Sequence, residues 1–337
     1  MPASVLHMSP DRTIFEGQNG TAPSVASSAV TDETSKGVRA AVAAYVIWGF
    51  LTVYWKQLAE FDPFELIGWR IICATAVMAL VITIRERWPV LVAAFRDRRL
   101  TLRLLVAALL LTANWTSYVW AVANDRVIET ALGYFMAPLG TMVLGVTVLH
   151  EHASRLHKLA LALAALAVVV LTISYGRPPV VALIIAATWS TYGLLKRQVP
   201  LGAIESLAGE TFLLVVPAIV LVVVMAGRGG SIPTTASGGD WVLILLTGVV
   251  TAVPLLLFAV AAQRVPFTLL GALQYLVPTI NFLLGWLVYD EPMPVDRLIG
   301  FALVWAALVA VTADRVRIAA PARQPTEAAR FTPTGGE

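Results

Sequence analysis

Two stretches of the chain, PLGTMVLGVTVLHE at residues 138–151 and PTINFLLGWLVYDE at residues 278–291, share one spacing of proline, glycine and glutamate. The matches pair Pro138 with Pro278, Gly145 with Gly285, and Glu151 with Glu291, always 140 residues apart. Lys56 and Glu65 recur at the same offset as Lys196 and Glu205, and WAVANDRV at residues 120–127 matches FAVAAQRV at residues 258–265. Several matches in one order predict an internal duplication.

Both stretches end apolar segments that are long enough to cross a bilayer. Of the 337 residues, 58% are hydrophobic and 13% are charged, and the mean hydropathy of +0.78 is far above that of soluble proteins. A membrane-spanning helix needs about 20 mostly apolar residues. The apolar runs predict ten such helices, near residues 39–57, 64–84, 102–123, 128–149, 157–175, 180–196, 204–226, 241–262, 267–289 and 296–314.

The predicted fold is an all-α polytopic membrane protein made of two five-helix repeats. Because five is an odd number of spans, the second repeat enters the membrane from the opposite side, which makes the repeats inverted. The first repeat covers residues 36–176 and the second covers residues 177–316. Residues 1–35 and 317–337 are polar or rich in proline, and we predict that both are disordered tails.

The basic residues of the short connections predict the orientation. The connection between the second and third spans carries the densest positive cluster, which consists of Arg85, Arg87, Arg96, Arg98, Arg99 and Arg103. Loops rich in lysine and arginine face the cytoplasm. Counting spans from this loop places both chain termini in the cytoplasm.

Composition and motifs argue against several other classes of protein. The net charge is only +3, and the basic residues form no patch interleaved with aromatic residues, so nucleic-acid binding has no support. The single cysteine, Cys73, excludes an intramolecular disulfide. His150, Glu151, His152 and His157 match no metal-site spacing and are interpreted as residues of the membrane edge. We expect no cofactor, no metal, and no enzymatic nucleophile–base pair.

The chain resembles a known family, the RarD-type permeases of the EamA group within the drug/metabolite transporter superfamily. The resemblance covers about residues 41–314, and the motifs that carry it are Trp48-Gly49, Trp69-Arg70, Asn114-Trp115 with residues 120–122, residues 132–135 with Pro138, and Gln274-Tyr275 with Pro278. It implies ten helices, an inner-membrane location and transport of small molecules. Small multidrug transporters of this superfamily use a carboxylate in the first helix, whereas no carboxylate lies between Arg39 and Gln57 here.

Polar and aromatic residues within the spans are candidates for a binding cavity, because small-molecule sites combine flat apolar surfaces with a few hydrogen-bonding groups. The candidates are Trp48, Asn114, Trp115, Tyr118, Tyr134, Trp189, Tyr192, Gln274, Tyr275 and Asn281. For the aromatic residues, the alternative is packing or anchoring at the membrane interface. For Asn114, Gln274 and Asn281, the alternative is hydrogen bonding between helices.

Charged residues near the helix ends are candidates for two gates, one on each membrane face. The outer set is Lys56, Glu65, Arg70, Arg126 and Glu291, and the inner set is Lys196, Glu205, Glu210, Arg264 and Glu151. The alternative is that these residues only anchor helix ends at the headgroups, and for Arg70 that it extends to the interface. Pro138 and Pro278 are predicted in mid-helix, where they are candidate hinges or fixed kinks.

The sequence therefore predicts a secondary active transporter that moves small organic solutes, metabolites or drugs by alternating access. Its partners would be a small-molecule substrate and the lipid bilayer, with a proton or another ion gradient as the candidate driving force. Export is the direction that the resemblance implies. The alternative is a non-transporting membrane sensor or scaffold that binds partners through the loop at residues 85–103.

Overall fold

A computed structural model describes residues 24–150, 154–196, 198–227, 230–262, 264–265, 270 and 273–319. The described residues form helices and connections, without a strand among them. The helices are α1 Ser24–Lys56, α2 Pro63–Ile84, α3 Trp88–Arg96, α4 Arg98–Ala123, α5 Val127–Thr147, α6 Arg155–Tyr175, α7 Val180–Lys196, α8 Ala203–Ala226, α9 Ile232–Thr235, α10 Gly238–Ala262, α11 Leu276–Leu283 and α12 Val295–Ala319. A π-helical turn, Leu284–Val288, continues α11.

Eight of these helices are long and apolar enough to cross a membrane: α1, α2, α4, α5, α6, α8, α10 and α12. Two further apolar helices are shorter, namely α7 and α11 with its π-helical turn. Large apolar side chains such as Leu80 and Ile173 point away from the bundle and are exposed. Lipid tails are the solvent that suits such a surface, so the chain is a multi-pass membrane protein.

Local sequence signals set the helix boundaries. The Asp62 side chain accepts hydrogen bonds from the backbone N–H groups of Phe64 and Glu65, and Pro63 occupies the first turn of α2. Asp97 caps α4 in the same way. At the other end of a helix, α6 stops at Gly176, whose φ of 65° is left-handed and suits glycine.

The long helices pack in pairs that bring distant parts of the sequence together. The main pairs are α6 with α12, α5 with α7, α2 with α8, α2 with α10, α1 with α10, α4 with α7, α1 with α11, α5 with α11, and α4 with α8. The α2–α10 pair is especially close at Gly248, where an added Cβ would lie 2.4 Å from the Cys73 carbonyl oxygen. Backbone-to-backbone contact of this kind requires a residue without a side chain.

Three features differ from the sequence predictions. Helix α1 begins at Ser24, inside the segment predicted as a disordered tail, because propagating an existing helix costs less than starting one. Helix α3 lies in the arginine-rich connection, where a loop was expected. Pro278 lies in the first turn of α11 instead of mid-helix, where it removes no helical hydrogen bond. Residues 1–23 and 320–337 of the predicted tails lie outside the described residues.

Candidate functional site

The helices enclose a cavity of about 430 Å³ in the interior of the bundle. Its walls come from helices on both sides of residue 176 and are mostly aromatic and aliphatic. Pockets for small molecules have volumes of about 300–1,000 Å³ and the same apolar character. The cavity is therefore large enough for a small organic molecule.

Seven of the ten predicted cavity residues line it: Trp48, Trp115, Tyr118, Tyr134, Trp189, Tyr192 and Gln274. The other three do not line it. Asn114 and Asn281 are buried between helices, and Tyr275 packs against an apolar cluster formed by α5, α6, α7, α11 and α12. The structure thus brings most of the aromatic candidates together and places the asparagines behind them.

The two asparagines are hydrogen-bonded to cavity tyrosines, Asn114 directly to Tyr134 and Asn281 through Thr52 to Tyr118. The Asn114 amide nitrogen donates to the Ile185 carbonyl (3.2 Å) and its oxygen accepts from the Tyr134 hydroxyl (3.0 Å). On the other side, the Thr52 hydroxyl donates to the Asn281 oxygen (2.9 Å) and bonds to the Tyr118 hydroxyl (2.7 Å). The contacts of Asn114 and Asn281 are therefore hydrogen bonds between helices, which was the alternative to lining the cavity.

Several cavity residues were not identified from the sequence. Thr251, Leu255 and Phe258 line the cavity from α10. Their spacing of four and three residues puts them on one helix face, which is a signal that the sequence contained. Tyr45 lines the cavity from α1, and Pro278, predicted as a hinge, lines it from α11. Pro138, the second predicted hinge, lies inside α5.

Arg70, assigned from the sequence to the outer gate, lies in the cavity wall and is only 4% exposed. Its Nε donates to the Thr251 hydroxyl (3.1 Å), and its guanidinium carbon is 3.8 Å from the ring centroid of Trp115 and 5.2 Å from that of Trp55. Within the described part of the chain, no carboxylate lies at ion-pair distance from Arg70.

The burial of the Arg70 charge is energetically costly and only partly offset by its neighbours. A cation at the centre of a membrane helix costs about 2.5–3.5 kcal/mol on insertion scales. A desolvated cation–π contact returns about 2 kcal/mol, and the Trp115 ring is the closer of the two that face Arg70. The indoles thus offset much of the cost of burial, but no carboxylate among the described residues neutralises the positive charge.

A second charged group in the cavity wall is neutralised by its neighbours. Lys196 lines the cavity at the end of α7, and its Nζ lies 2.6 Å from a carboxylate oxygen of Glu210. Glu210 also accepts from the hydroxyls of Tyr192 (3.2 Å) and Ser206 (3.1 Å). Lys196 and Glu210, both in the predicted inner set, therefore form an ion pair in which Glu210 is buried and Lys196 is partly exposed.

At the opposite end of the bundle, which we call the Lys56 end, carboxylates join helices of the two predicted repeats. Glu291 accepts hydrogen bonds from the backbone N–H groups of Val127 and Ile128, the first residues of α5. Glu129 accepts from the Val181 N–H (3.3 Å) and pairs with Arg177 (3.0 Å). These carboxylates meet helix N-termini, where the helix dipole favours negative charge.

Glu65 makes a similar contact at the Lys56 end. Its carboxylate accepts from the Ile232 N–H at 3.1 Å, which connects α2 to α9. Lys56 pairs with Asp125, a residue outside the predicted set, and donates to the Val122 carbonyl (3.0 Å). The predicted outer residues are thus bonded mainly to backbone groups and to other side chains, not to one another.

The remaining gate candidates lie apart from these contacts. The Arg126 guanidinium carbon is 4.8 Å from the Trp120 ring centroid, and Glu205 lies 3.5 Å from Arg87. Arg264 donates to the Val260 carbonyl. Glu151 and His152 lie outside the described residues.

The Glu291 carboxyl has a perturbed acidity. Burial raises its pKa, while the N–H groups of Ile128 and Val127 and the charge of Lys56 partly counter the rise. Asp125 adds to the rise, because a nearby negative charge disfavours a second one. Protonation of Glu291 therefore begins at a higher pH than for an ordinary glutamate.

Comparison with known proteins assigns a family to this architecture. The sequence profile of the EamA-like transporter family matches residues 35–173 and matches again at residues 178–313. The chain belongs to this family. Its EamA relatives include Protein RarD of Streptomyces exfoliatus, 39% identical over 301 residues, which cover 89% of this chain and 96% of the relative. The chain is thus a RarD-type permease of the EamA family.

Other relatives agree with the family assignment. The uncharacterized transporter YojE of Bacillus subtilis is 36% identical over 289 residues, which cover 85% of this chain and 96% of YojE. A solved structure titled "Crystal structure of protein" is 18% identical and superposes with a TM-score of 0.52, covering 83% of this chain and 98% of the solved one. At this identity the superposition supports the fold alone.

Proposed function

We propose that this EamA protein is a secondary active transporter that moves small organic solutes across the inner membrane by alternating access. The observation that carries the proposal is the aromatic cavity between the two predicted repeats, combined with the carboxylate contacts that join those repeats at the Lys56 end. A cavity connected to one side at a time is what alternating access requires.

Two inverted five-helix repeats are part of the proposal. The family profile matches twice, once in each predicted repeat. The helix pairs also exchange when α1, α2, α4, α5 and α6 are replaced by α7, α8, α10, α11 and α12. For example, α1 with α10 becomes α7 with α4, and α5 with α7 becomes α11 with α1. A pseudo-two-fold axis in the membrane plane accounts for both observations.

The proposed orientation puts the arginine-rich connection in the cytoplasm, since positive loops remain inside. That choice puts the Lys56 end outside and the Lys196 end inside. The cavity wall extends as far as Lys196 and Ala203. The described conformation then corresponds to a state that is closed toward the outside, and both chain termini are cytoplasmic.

Flux measurements with reconstituted protein test the transport proposal. Gly193 lines the cavity, and an added Cβ there meets no atom within 4 Å, so we expect a large side chain at this position to occupy cavity space. We expect saturable flux of at least one compound from a panel of aromatic acids, amino acids and neutral amides in proteoliposomes. Gly193→Trp should abolish that flux, whereas Gly193→Ala should retain it.

The thermal unfolding temperatures of both Gly193 variants provide the folding control. Flux that persists in a folded Gly193→Trp variant would contradict the assignment of the cavity. A complete lack of saturable flux in the parent protein, with or without an imposed proton gradient, would instead favour the sensor or scaffold alternative.

Acidification should stabilise closure of the Lys56 end. Because burial raises the pKa of Glu291 in the closed contact, that state binds a proton more tightly than an open state in which Glu291 is hydrated. By linkage, lowering the pH through the range above the ordinary glutamate pKa of about 4.3 shifts the equilibrium toward closure.

Cysteine labelling can measure this shift. Leu51→Cys in a Cys73→Ser background places a thiol in the cavity wall, reachable from outside only when the Lys56 end opens. Its labelling from that side should slow at low pH, relative to the same pair of changes combined with Glu291→Gln. Equal pH profiles for the two proteins would contradict the role of Glu291.

A further inference from the structure

We propose that the cavity takes a small organic anion, with a carboxylate that binds at Arg70 and a flat aromatic or apolar body that contacts the surrounding rings. The inference names the substrate class of the transport site, so its transport aspect rests on the proposed function. The binding aspect does not, because ligand affinity can be measured without flux.

The charges in the cavity wall favour a negative ligand. Among the described residues that line the cavity, two carry a charge, Arg70 and Lys196. Lys196 is neutralised by Glu210 at 2.6 Å, whereas Arg70 has no carboxylate at ion-pair distance within the same described ranges. The wall therefore carries one uncompensated positive charge, at a depth where water screens charge poorly.

The geometry of Arg70 leaves its outer nitrogens available. A guanidinium has five N–H donors in a fixed fork. The single Nε donor is used by Thr251, and Trp115 covers the guanidinium at 3.8 Å. The two terminal nitrogens make no hydrogen bond to any other residue that the structure describes. Two parallel N–H groups match the two oxygens of a carboxylate.

The contacts of Arg70 fix the position of its guanidinium group. The ring centroids of Trp115 and Trp55 lie 3.8 and 5.2 Å from the guanidinium carbon, and Thr251, which accepts from Nε, lies on a different helix. These contacts hold the side chain in one orientation before a ligand arrives, which lowers the entropy lost on binding.

The remaining wall suits the body of such an anion. Trp48, Trp189 and Phe258 line the cavity with aromatic rings, and Gln274 adds an amide. Aromatic faces accept a flat apolar group, while an ammonium ligand would meet the Arg70 charge at close range. A neutral amide of the same shape would replace two charge-assisted hydrogen bonds with weaker ones.

Three compounds with one phenyl ring test the inference: phenylacetate, phenylacetamide and phenethylamine. Binding to the detergent-purified protein is measured by titration calorimetry and by thermal shift. We expect phenylacetate to bind about 10- to 100-fold more tightly than phenylacetamide, and phenethylamine to bind most weakly. Arg70→Gln should remove the preference for the acid, and Arg70→Lys should retain part of it.

Arg96→Gln is the matched control, because Arg96 is an exposed arginine at the end of α3 and outside the cavity wall. It should retain the parent preference. The unfolding temperature of ligand-free Arg70→Gln shows whether the variant is folded, and Arg70→Lys repeats the test if it is not. Equal affinities for acid and amide, no acid binding at millimolar concentrations, or an acid preference that survives Arg70→Gln would overturn the inference.

Flux distinguishes this inference from the transport proposal. If phenylacetate binds in an Arg70-dependent way but no compound crosses the membrane, the anion inference stands and the transport proposal fails. If saturable flux occurs but is indifferent to ligand charge and to Arg70→Gln, the transport proposal stands and the anion inference fails.

Discussion

Replacement of Glu291 by lysine is expected to lower saturable flux at least about tenfold, because it removes the acceptor that joins the connection after the π-helical turn to the start of α5. Each buried N–H left without an acceptor costs about 1–3 kcal/mol, and 1.4 kcal/mol is tenfold in an equilibrium. The new cation would also face the positive end of the α5 dipole. Glu291→Gln retains one carbonyl acceptor and, like the protonated glutamate, carries no charge, so it should keep the closed contact and show little loss of flux.

The neighbouring Asp290 provides a matched control. It is exposed and has a φ of 50°, a conformation that asparagine tolerates well. Asp290→Asn therefore removes a negative charge one residue away without removing the acceptor of the α5 N–H groups, and it should leave flux unchanged. The Leu51→Cys reporter should be labelled faster from outside in Glu291→Lys than in the parent. Unchanged labelling and flux would show that Glu291 does not hold this end closed.

Replacement of Gly248 by leucine is expected to leave most of the protein molecules unfolded. Even an added Cβ would lie 2.4 Å from the Cys73 carbonyl oxygen and 2.6 Å from its carbon, so the backbones of α2 and α10 must separate. Overpacking typically costs about 1–3 kcal/mol, and a backbone neighbour cannot move aside as a side chain can. Gly248→Ala should lower the unfolding temperature by several degrees, as measured in detergent.

Gly238 on the same helix provides the comparison, since an added Cβ there meets nothing within 4 Å. Gly238→Ala should leave the unfolding temperature unchanged or slightly raised, because alanine is the better helix former. Similar unfolding temperatures for Gly248→Ala and Gly238→Ala would show that α2 and α10 are not in backbone contact.

Most helices could be predicted from the sequence because charges, prolines and caps bound each apolar run. The predicted 180–196 segment, for example, has the same bounds as α7. The ninth span was harder, because hydropathy does not distinguish an α-helix from a π-helical turn, and Pro278 fits a first turn as well as a kink. Helix α3 was missed because its nine residues are fewer than the roughly 11–18 over which helical periodicity is read.

The cavity could be predicted only in part. Aromatic residues within spans are visible in a sequence, and most of those selected line the cavity. The environment of Arg70 was not visible, because Trp115 and Thr251 reach it from other helices. Likewise, no pattern of side chains indicates that Glu291 bonds to main-chain N–H groups, since every residue except proline offers one.

That last contact has a consequence for how this protein tolerates mutation. Glu291 bonds to backbone N–H groups, so its hydrogen bonds do not depend on which side chains residues 127 and 128 carry. Substitutions at those two positions can alter packing without removing a hydrogen bond, and only proline would remove a donor. The Glu291 carboxyl group is therefore the one side-chain group whose loss removes both hydrogen bonds.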